Sequence, residues 1–415
     1  MSSVFAWMDH SEAERRRTLD IVALFRDRNT RDELGIGTVR DAFADLLFPG
    51  TSTIQARAKY FLFVPWTYTE LERLKVPSVQ IAWRARQEET LLISALMEDD
   101  PDSAGVIGSE VGRALKRLPS SIYWLGLRTW GIRKFVRSQD QYHRSLDRYY
   151  SWDPRRRTEL RTDDGEPVEG RVPLNWDSGL PPRPVGFPKK ASLQLSHAEA
   201  AYLRERITSN VPGTLLAWLV DRSELSKQVA FPWLLSDTRE LPAALKEQLL
   251  HAHNFSECMH GAAIVYNLML AGQRGDEELI DDYRSQLFRW SEALAARSDG
   301  LLNWDRRRFW EIVYSSAGRV AMPTRAFIER WLALVLDQGD VRRAAVGLSE
   351  SPEARRLIDG RERSIKGERA RLANRRQLEL WSGAAGMAQL SYRWPVARQM
   401  MEDIVTPLSG GGPDA

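Results

Sequence analysis

Three of the chain's six histidines and its only cysteine fall within HAHNFSECMHGA, residues 251–262. Imidazole and thiolate are ligands that zinc favours, so His251, His253, Cys258 and His260 are the first candidates for metal chemistry. Their spacing argues against it. On one helix His253 and His260 share a face and His251 and Cys258 share another, with about 200° of rotation between the pairs. A single helix does not bring all four to one ion, and the usual zinc spacings are absent. The block is expected to be a packed helix with no metal and no cofactor.

The second candidate is LLFPGTSTIQARAKYFLFVPW, residues 46–66. Thr38 and Asp41 mark a helix start before it, Pro49-Gly50 a stop, and Thr51 or Ser52 a new start running toward Phe63. Helix, short turn, helix is the layout of a helix-turn-helix unit, whose second helix reads bases with its N-terminal residues. Ser52, Thr53, Gln55, Arg57 and Lys59 occupy that place. Gln suits bidentate pairing with adenine, and Ser or Thr suits phosphate. The apolar stripe is Ile54, Ala58, Phe61 and Leu62. The alternative is an ordinary helical hairpin with Gln55 and Lys59 solvated. Arg57, at the stripe's margin, calls for an acidic partner or open solvent. FLFVPW reads as a strand.

The third candidate is the basic and aromatic region 121–161. Arg133, Lys134, Arg137, Arg144, Arg148, Arg155, Arg156 and Arg157 alternate there with Trp130, Tyr142, Tyr149, Tyr150 and Trp152. Phosphate neutralisation combined with base stacking uses this mixture. The alternative has the aromatic residues in a core and the arginines on outer helix faces. Arg155–Arg157, beside Pro154, are expected to be the best exposed.

Searches for a Walker A loop, HExxH, paired CxxC, a nucleophile elbow or a carboxylate–lysine nuclease core find none. That leans against an enzyme and leaves only a site assembled in three dimensions.

These groups sit on a chain of globular composition, 43% hydrophobic and 28% charged, with 15 tryptophans. One cysteine allows no intrachain disulfide. The N-terminal MSSVFAWMDHSEAERRR has charges where a leader would be apolar, and no run is long enough to span a membrane. The expectation is a cytoplasmic protein. Its net charge of +3 hides two basic segments. Residues 113–161 hold 13 Lys/Arg against 4 Asp/Glu, and 355–376 hold 9 against 3. Segregated charge of this kind points to an anionic partner, or to pairing with acids elsewhere in the fold.

The fold class is mainly α. A helical N-terminal domain, with its helix-turn-helix-like hairpin, is placed at 1–150. A Pro-rich extended tract or linker follows at 151–195, with a short hairpin around RTDDGEPVEGRV. A helical C-terminal domain covers 196–408, and 409–415 is a tail. Capping boxes are read at Ser11/Glu14 and Ser196/Glu199, and an Arg-rich helix at 361–382.

Three blocks, TRDELGIGTVRDAFADLLFPGTSTIQARAKYFLFVPW (30–66), HAHNFSECMHGAAIVYNLML (251–270) and RARLANRRQLELWSGAAGMAQLSYRW (369–394), resemble a bacterial family of unknown function. It is similar to families encoded beside helicase or nuclease genes in antiviral-defence neighbourhoods, and the likeness carries no catalytic residue across. It implies a non-catalytic subunit binding nucleic acid, DNA in the first instance, alongside other defence subunits such as a helicase or nuclease. Arg393 and the glycine-flanked loop 383–386 are read as a second contact. The rival is a helical scaffold or adaptor for protein partners.

Overall fold

The computed structural model describes residues 32–99, 105–109, 117–151, 174–222, 229–337 and 340–409. Among these residues it contains helices and no strand. In chain order they are α1 Gly37–Leu47, α2 Tyr60–Arg73, α3 Ser78–Asp99, α4 Pro119–Thr129, α5 Gln139–Tyr150, α6 His197–Asn210 and α7 Leu215–Val220. Then come α8 Ala243–Arg274, α9 Glu277–Ala295, α10 Ser298–Leu302, α11 Arg306–Ala317, α12 Met322–Leu336 and α13 Val341–Gly347. The last three are α14 Pro352–Lys366, α15 Arg375–Glu379 and α16 Trp394–Ser409. The fold is mainly α, as composition and periodicity imply. The Ser11/Glu14 cap and the proposed hairpin at 161–172 lie outside the described residues.

Contacts group the chain into two compact units. One holds the described residues up to Ala44 together with Lys246–Tyr392. The other holds Asp45–Leu245 and the chain from Arg393 onward. The sequential division at 150 and 196 follows composition. The units follow contacts, and each joins segments distant in sequence.

In the unit containing Lys246–Tyr392, α8 is the central element. A helix that is apolar on every side must be surrounded. Ala252, Phe255, Cys258, Met259, Ala262 and Val265 are all buried along α8, as are Asn254 and Ser256. Phe309 of α11 stacks on Phe255 at 5.3 Å. Trp331 of α12 donates its indole N–H to the Cys258 carbonyl at 2.9 Å. Gly261 lets Trp290 lie against α8, since a Cβ there would fall 2.2 Å from the ring.

In the other unit, α2 packs against α3 and α4, α3 against α5, and α16 against α6 and α7. Phe61 stacks on Trp130 with centroids 3.7 Å apart. FLFVPW is therefore helix rather than strand. Tyr60, Phe61, Leu62, Phe63, Val64, Pro65 and Trp66 are all buried within α2, so burial on every face overrides the strand propensity. The Ser196/Glu199 capping box is formed, and a second joins Ser138 to Gln141.

The α3–α4 junction buries a carboxyl group. Glu89 of α3 is 1% exposed and accepts the Ser120 amide near the start of α4 at 2.8 Å. Among the described residues its Oε1 has no hydrogen-bonding partner. Burial pushes its pKa from the ordinary 4.5 to about 7, against the lowering pull of Ser120 and Arg86. The folded chain thus holds this proton more tightly than the unfolded chain. The resulting stabilisation is complete below the ordinary carboxylate pKa and is lost as pH rises through about 7. The loss is expected to be on the order of 3 kcal/mol. Denaturant midpoints should fall between about pH 4.5 and 7 in the native chain and fall less in Glu89→Gln. Identical pH profiles would contradict the assignment.

Candidate nucleic-acid interface

Residues 51–59 form no helix. The expected three-residue turn is a loop, and α2 begins at Tyr60 rather than at Thr51 or Ser52. The reason is where the backbone amides go. Gly50 turns the chain at φ +84°. Gln55 then braces the turn, its Oε1 accepting the Ser52 amide at 2.9 Å and its Nε2 donating to the Gly50 carbonyl at 3.2 Å. The Tyr123 hydroxyl accepts the amides of Ala56 and Arg57 at 2.8 and 3.1 Å and donates to the Arg57 carbonyl. Asp403 takes the Ala58 amide at 2.8 Å. With those donors committed to side chains, helical bonding resumes only at Lys59 and beyond.

The same contacts settle the polar residues. Gln55 is buried. Arg57 meets the carboxylate of Asp403 through Nε and Nη2, each at 2.9 Å. Lys59 is buried beside Glu199, donates to the Gln194 carbonyl at 2.8 Å, and lies 5.6 Å from the Trp66 ring. Burial lowers its pKa, and the Glu199 contact opposes that shift. Glu199 is thus both the third residue of a capping box and an ion-pair partner. Ser52 is half-buried, and Thr53 is exposed. The recognition-helix layout is not formed, and Gln55, Arg57 and Lys59 are occupied inside the fold.

The basic region sorts in a similar way. Arg133 is 2% exposed, sits 4.5 Å from the Trp124 ring, and donates to the carbonyls of Trp124, Phe135 and Arg137. Burial first, then the neighbouring charge of Arg128, lowers its pKa to about 10. Lys134 pairs with Asp177 at 3.0 Å. Arg137 is exposed. Arg155, Arg156 and Arg157 lie outside the described residues. Trp124, Trp130 and Tyr142 are core residues.

Arg393 binds Asp45 at 2.6 Å and the Thr51 carbonyl at 2.8 Å. The loop 383–386 is held from within its own unit. Tyr283 donates to the Gly383 carbonyl, and Asn267 brackets Ala385 with two bonds of 2.8 Å. Both Arg393 and the loop thus have partners within the fold.

The Arg-rich stretch is not one helix. α14 ends at Lys366, Gly367 has φ +54°, one 3-10 turn covers Gly367–Arg369, and α-helix returns only at Arg375. Glu362 causes the break by accepting the amides of Arg371 and Leu372, each at 2.9 Å. In the histidine block, His251 accepts the Trp304 indole N–H at 2.7 Å, and His253 faces Glu257 at 3.6 Å. Burial lowers His253 to about 3 and His260 to about 4, so both are neutral in ordinary buffers. Among the described residues no group of three or more His, Cys, Asp or Glu side chains is arranged to hold a metal.

A surface cleft of about 420 Å³ lies between α11 and α12. Arg325 sits 5.2 Å from the Trp310 ring and donates to the Tyr314 hydroxyl at 3.0 Å. Glu329 accepts the Trp310 indole N–H, and Glu311 receives Arg307 and Arg308. These polar groups bond one another, and the cleft's lining has no nucleophile paired with a base.

The model of a family of unknown function, DUF6361, matches residues 1–406. The chain belongs to that family. No curated protein and no solved structure matches it. Among the described residues of this DUF6361 member, no helix is long and apolar enough to cross a membrane.

One stretch of the DUF6361 chain keeps exposed cations after internal pairing. From Val111 to Gln139 the sequence has seven Lys or Arg and no Asp or Glu. Arg133 and Lys134 are taken internally, and Arg113 and Lys116 lie outside the described residues. Arg117, Arg128 and Arg137 are exposed. Ser121, Leu125 and Arg128 form the solvent face of α4, with Leu125 73% exposed. Sequence reasoning found Arg137 and missed Arg117 and Arg128. The signal available was the missing carboxylates, since a cation with no nearby acid has no local partner to bury it.

Proposed function

We propose that this chain is a non-catalytic nucleic-acid-binding subunit of a bacterial antiviral-defence assembly. It acts in the cytoplasm beside helicase or nuclease subunits. The observation that carries the reading is the acid-free stretch around α4, where Arg117, Arg128 and Arg137 are exposed while Arg133 and Lys134 are taken internally. A polyanion satisfies exposed guanidinium groups without requiring a complementary fold. Arg155–Arg157 would extend the same charge along the chain. The defence setting comes from the resemblance of residues 30–66, 251–270 and 369–394.

A second reading, a helical adaptor for protein partners, is favoured by the internal pairing of Arg57, Lys59, Lys134 and Arg393. A salt series with labelled oligo(dT) and a labelled duplex separates the two. Binding at low salt that weakens steeply as salt rises is expected. Changing Arg117, Arg128 and Arg137 together to Ala should reduce the slope of log K against log salt by roughly 2 to 3. Absence of binding to both probes at low salt would favour the adaptor. An unchanged slope would remove these arginines from the site.

A further inference from the structure

The start of α3 carries a feature that folding does not account for. Trp83 is 57% exposed, although indole is among the side chains that gain most from burial. Val79, one turn earlier, is 88% exposed, and Leu74, just ahead of the helix, is 57% exposed. The charged residues around them are cationic. Arg84 lies over the Trp83 ring at 5.2 Å, and Lys75, Arg84 and Arg86 are exposed. From Leu74 to Gln87 the sequence has no carboxylate. Asp147 of α5 is brought to this end of α3, where it accepts the Ser78 amide at 2.9 Å, and Glu88 follows one turn after Arg84. Asp147 serves as the helix cap, and the next residue, Arg148, is exposed.

We propose that this face is a base-stacking platform for single-stranded nucleic acid, with Trp83 as the stacking residue and Arg84 and Lys75 at the phosphates. The inference rests on the nucleic-acid reading above and adds which form of nucleic acid is bound. A duplex hides its base faces, whereas a single strand offers a π-face at every nucleotide. An apolar protein partner would gain nothing from a surrounding set of cations, while a phosphate chain complements them. Position also fits. Trp83 and Glu89 are about 9 Å apart along the α3 axis, and Glu89 touches Ser120 at the start of α4. The platform and the α4 arginines therefore belong to one unit.

The test compares oligo(dT) with a duplex of the same length for the native chain, Trp83→Ala, Trp83→Phe and the α4 arginine variant. Trp83→Ala should weaken oligo(dT) binding about tenfold. It should leave duplex binding and the salt slope unchanged, because stacking releases no counterions. Trp83→Phe should retain most of the oligo(dT) affinity. Unchanged oligo(dT) affinity in Trp83→Ala, or equal losses on both probes, would overturn the platform. If the native chain binds, the arginine variant changes the slope and Trp83→Ala leaves oligo(dT) affinity unchanged, the reading around α4 stands without the platform. If the native chain binds neither probe at low salt, both readings fall.

Discussion

Asp403→Ala is expected to destabilise the chain by about 3 to 5 kcal/mol, the cost of removing one member of a buried ion pair. The Asp403 side chain is 3% exposed and that of Arg57 is 15% exposed. Asp403 binds Arg57 through three contacts of 2.9 Å and also accepts the Ala58 amide. Its removal takes the carboxylate from a largely buried guanidinium and the acceptor from the Ala58 N–H, and a desolvated donor without its acceptor carries a penalty. Asp403→Asn keeps an acceptor for Ala58 but no charge for Arg57, so a smaller loss is expected. Denaturant midpoints of the three proteins check this. A loss below about 1 kcal/mol, the range of exposed pairs, would contradict it. Amide exchange should quicken at Ala56, Arg57 and Ala58, because the loop then lacks its anchor.

Glu362→Ala is expected to cost a similar amount, about 3 to 5 kcal/mol, in the other unit. Glu362 is fully buried. It accepts the Tyr266 hydroxyl at 2.5 Å, Lys366 Nζ at 2.9 Å and the two amides that turn the chain after α14. Glu33 shares the cations, receiving both Lys366 and Arg371. Removing Glu362 leaves two cations facing one carboxylate and frees the turn. Burial pushes the Glu362 pKa up, but the bonds from Tyr266, Lys366, Leu372 and Arg371 outweigh it, and the net direction is down. A carboxyl lowered in the folded state contributes stability above its unfolded pKa and loses it as pH falls through the folded one. Glu362→Ala should therefore lower the midpoint at neutral pH and narrow its gap to the native chain in acid. A constant gap across that range would contradict the charge assignment.

The fold class and most helix limits follow from the sequence because their causes are local. The Ser196/Glu199 box, the Asp276 cap of α9 and the proline in the first turn of α12 act within a few residues. The buried α8 was legible as a packed helix because its four candidate ligands could not converge. Local signals failed at residues 51–59 and 367–374. In both places carboxylates distant in sequence or beyond a turn, Asp403 and Glu362, take amides that a helix would use.

The charges divide by the same rule. Residue type determined by itself that the chain carries basic segments, since side-chain charge needs no fold. Which cations remain outside was decided only by tertiary structure, because pairing depends on what lies within a few ångströms. Arg57 met Asp403, 346 residues on, and Lys59 met Glu199, 140 residues on. Arg133 turned inward to three carbonyls. Arg128 stayed out on α4 and Arg117 just ahead of it, in a stretch from Val111 to Gln139 that has no acid of its own.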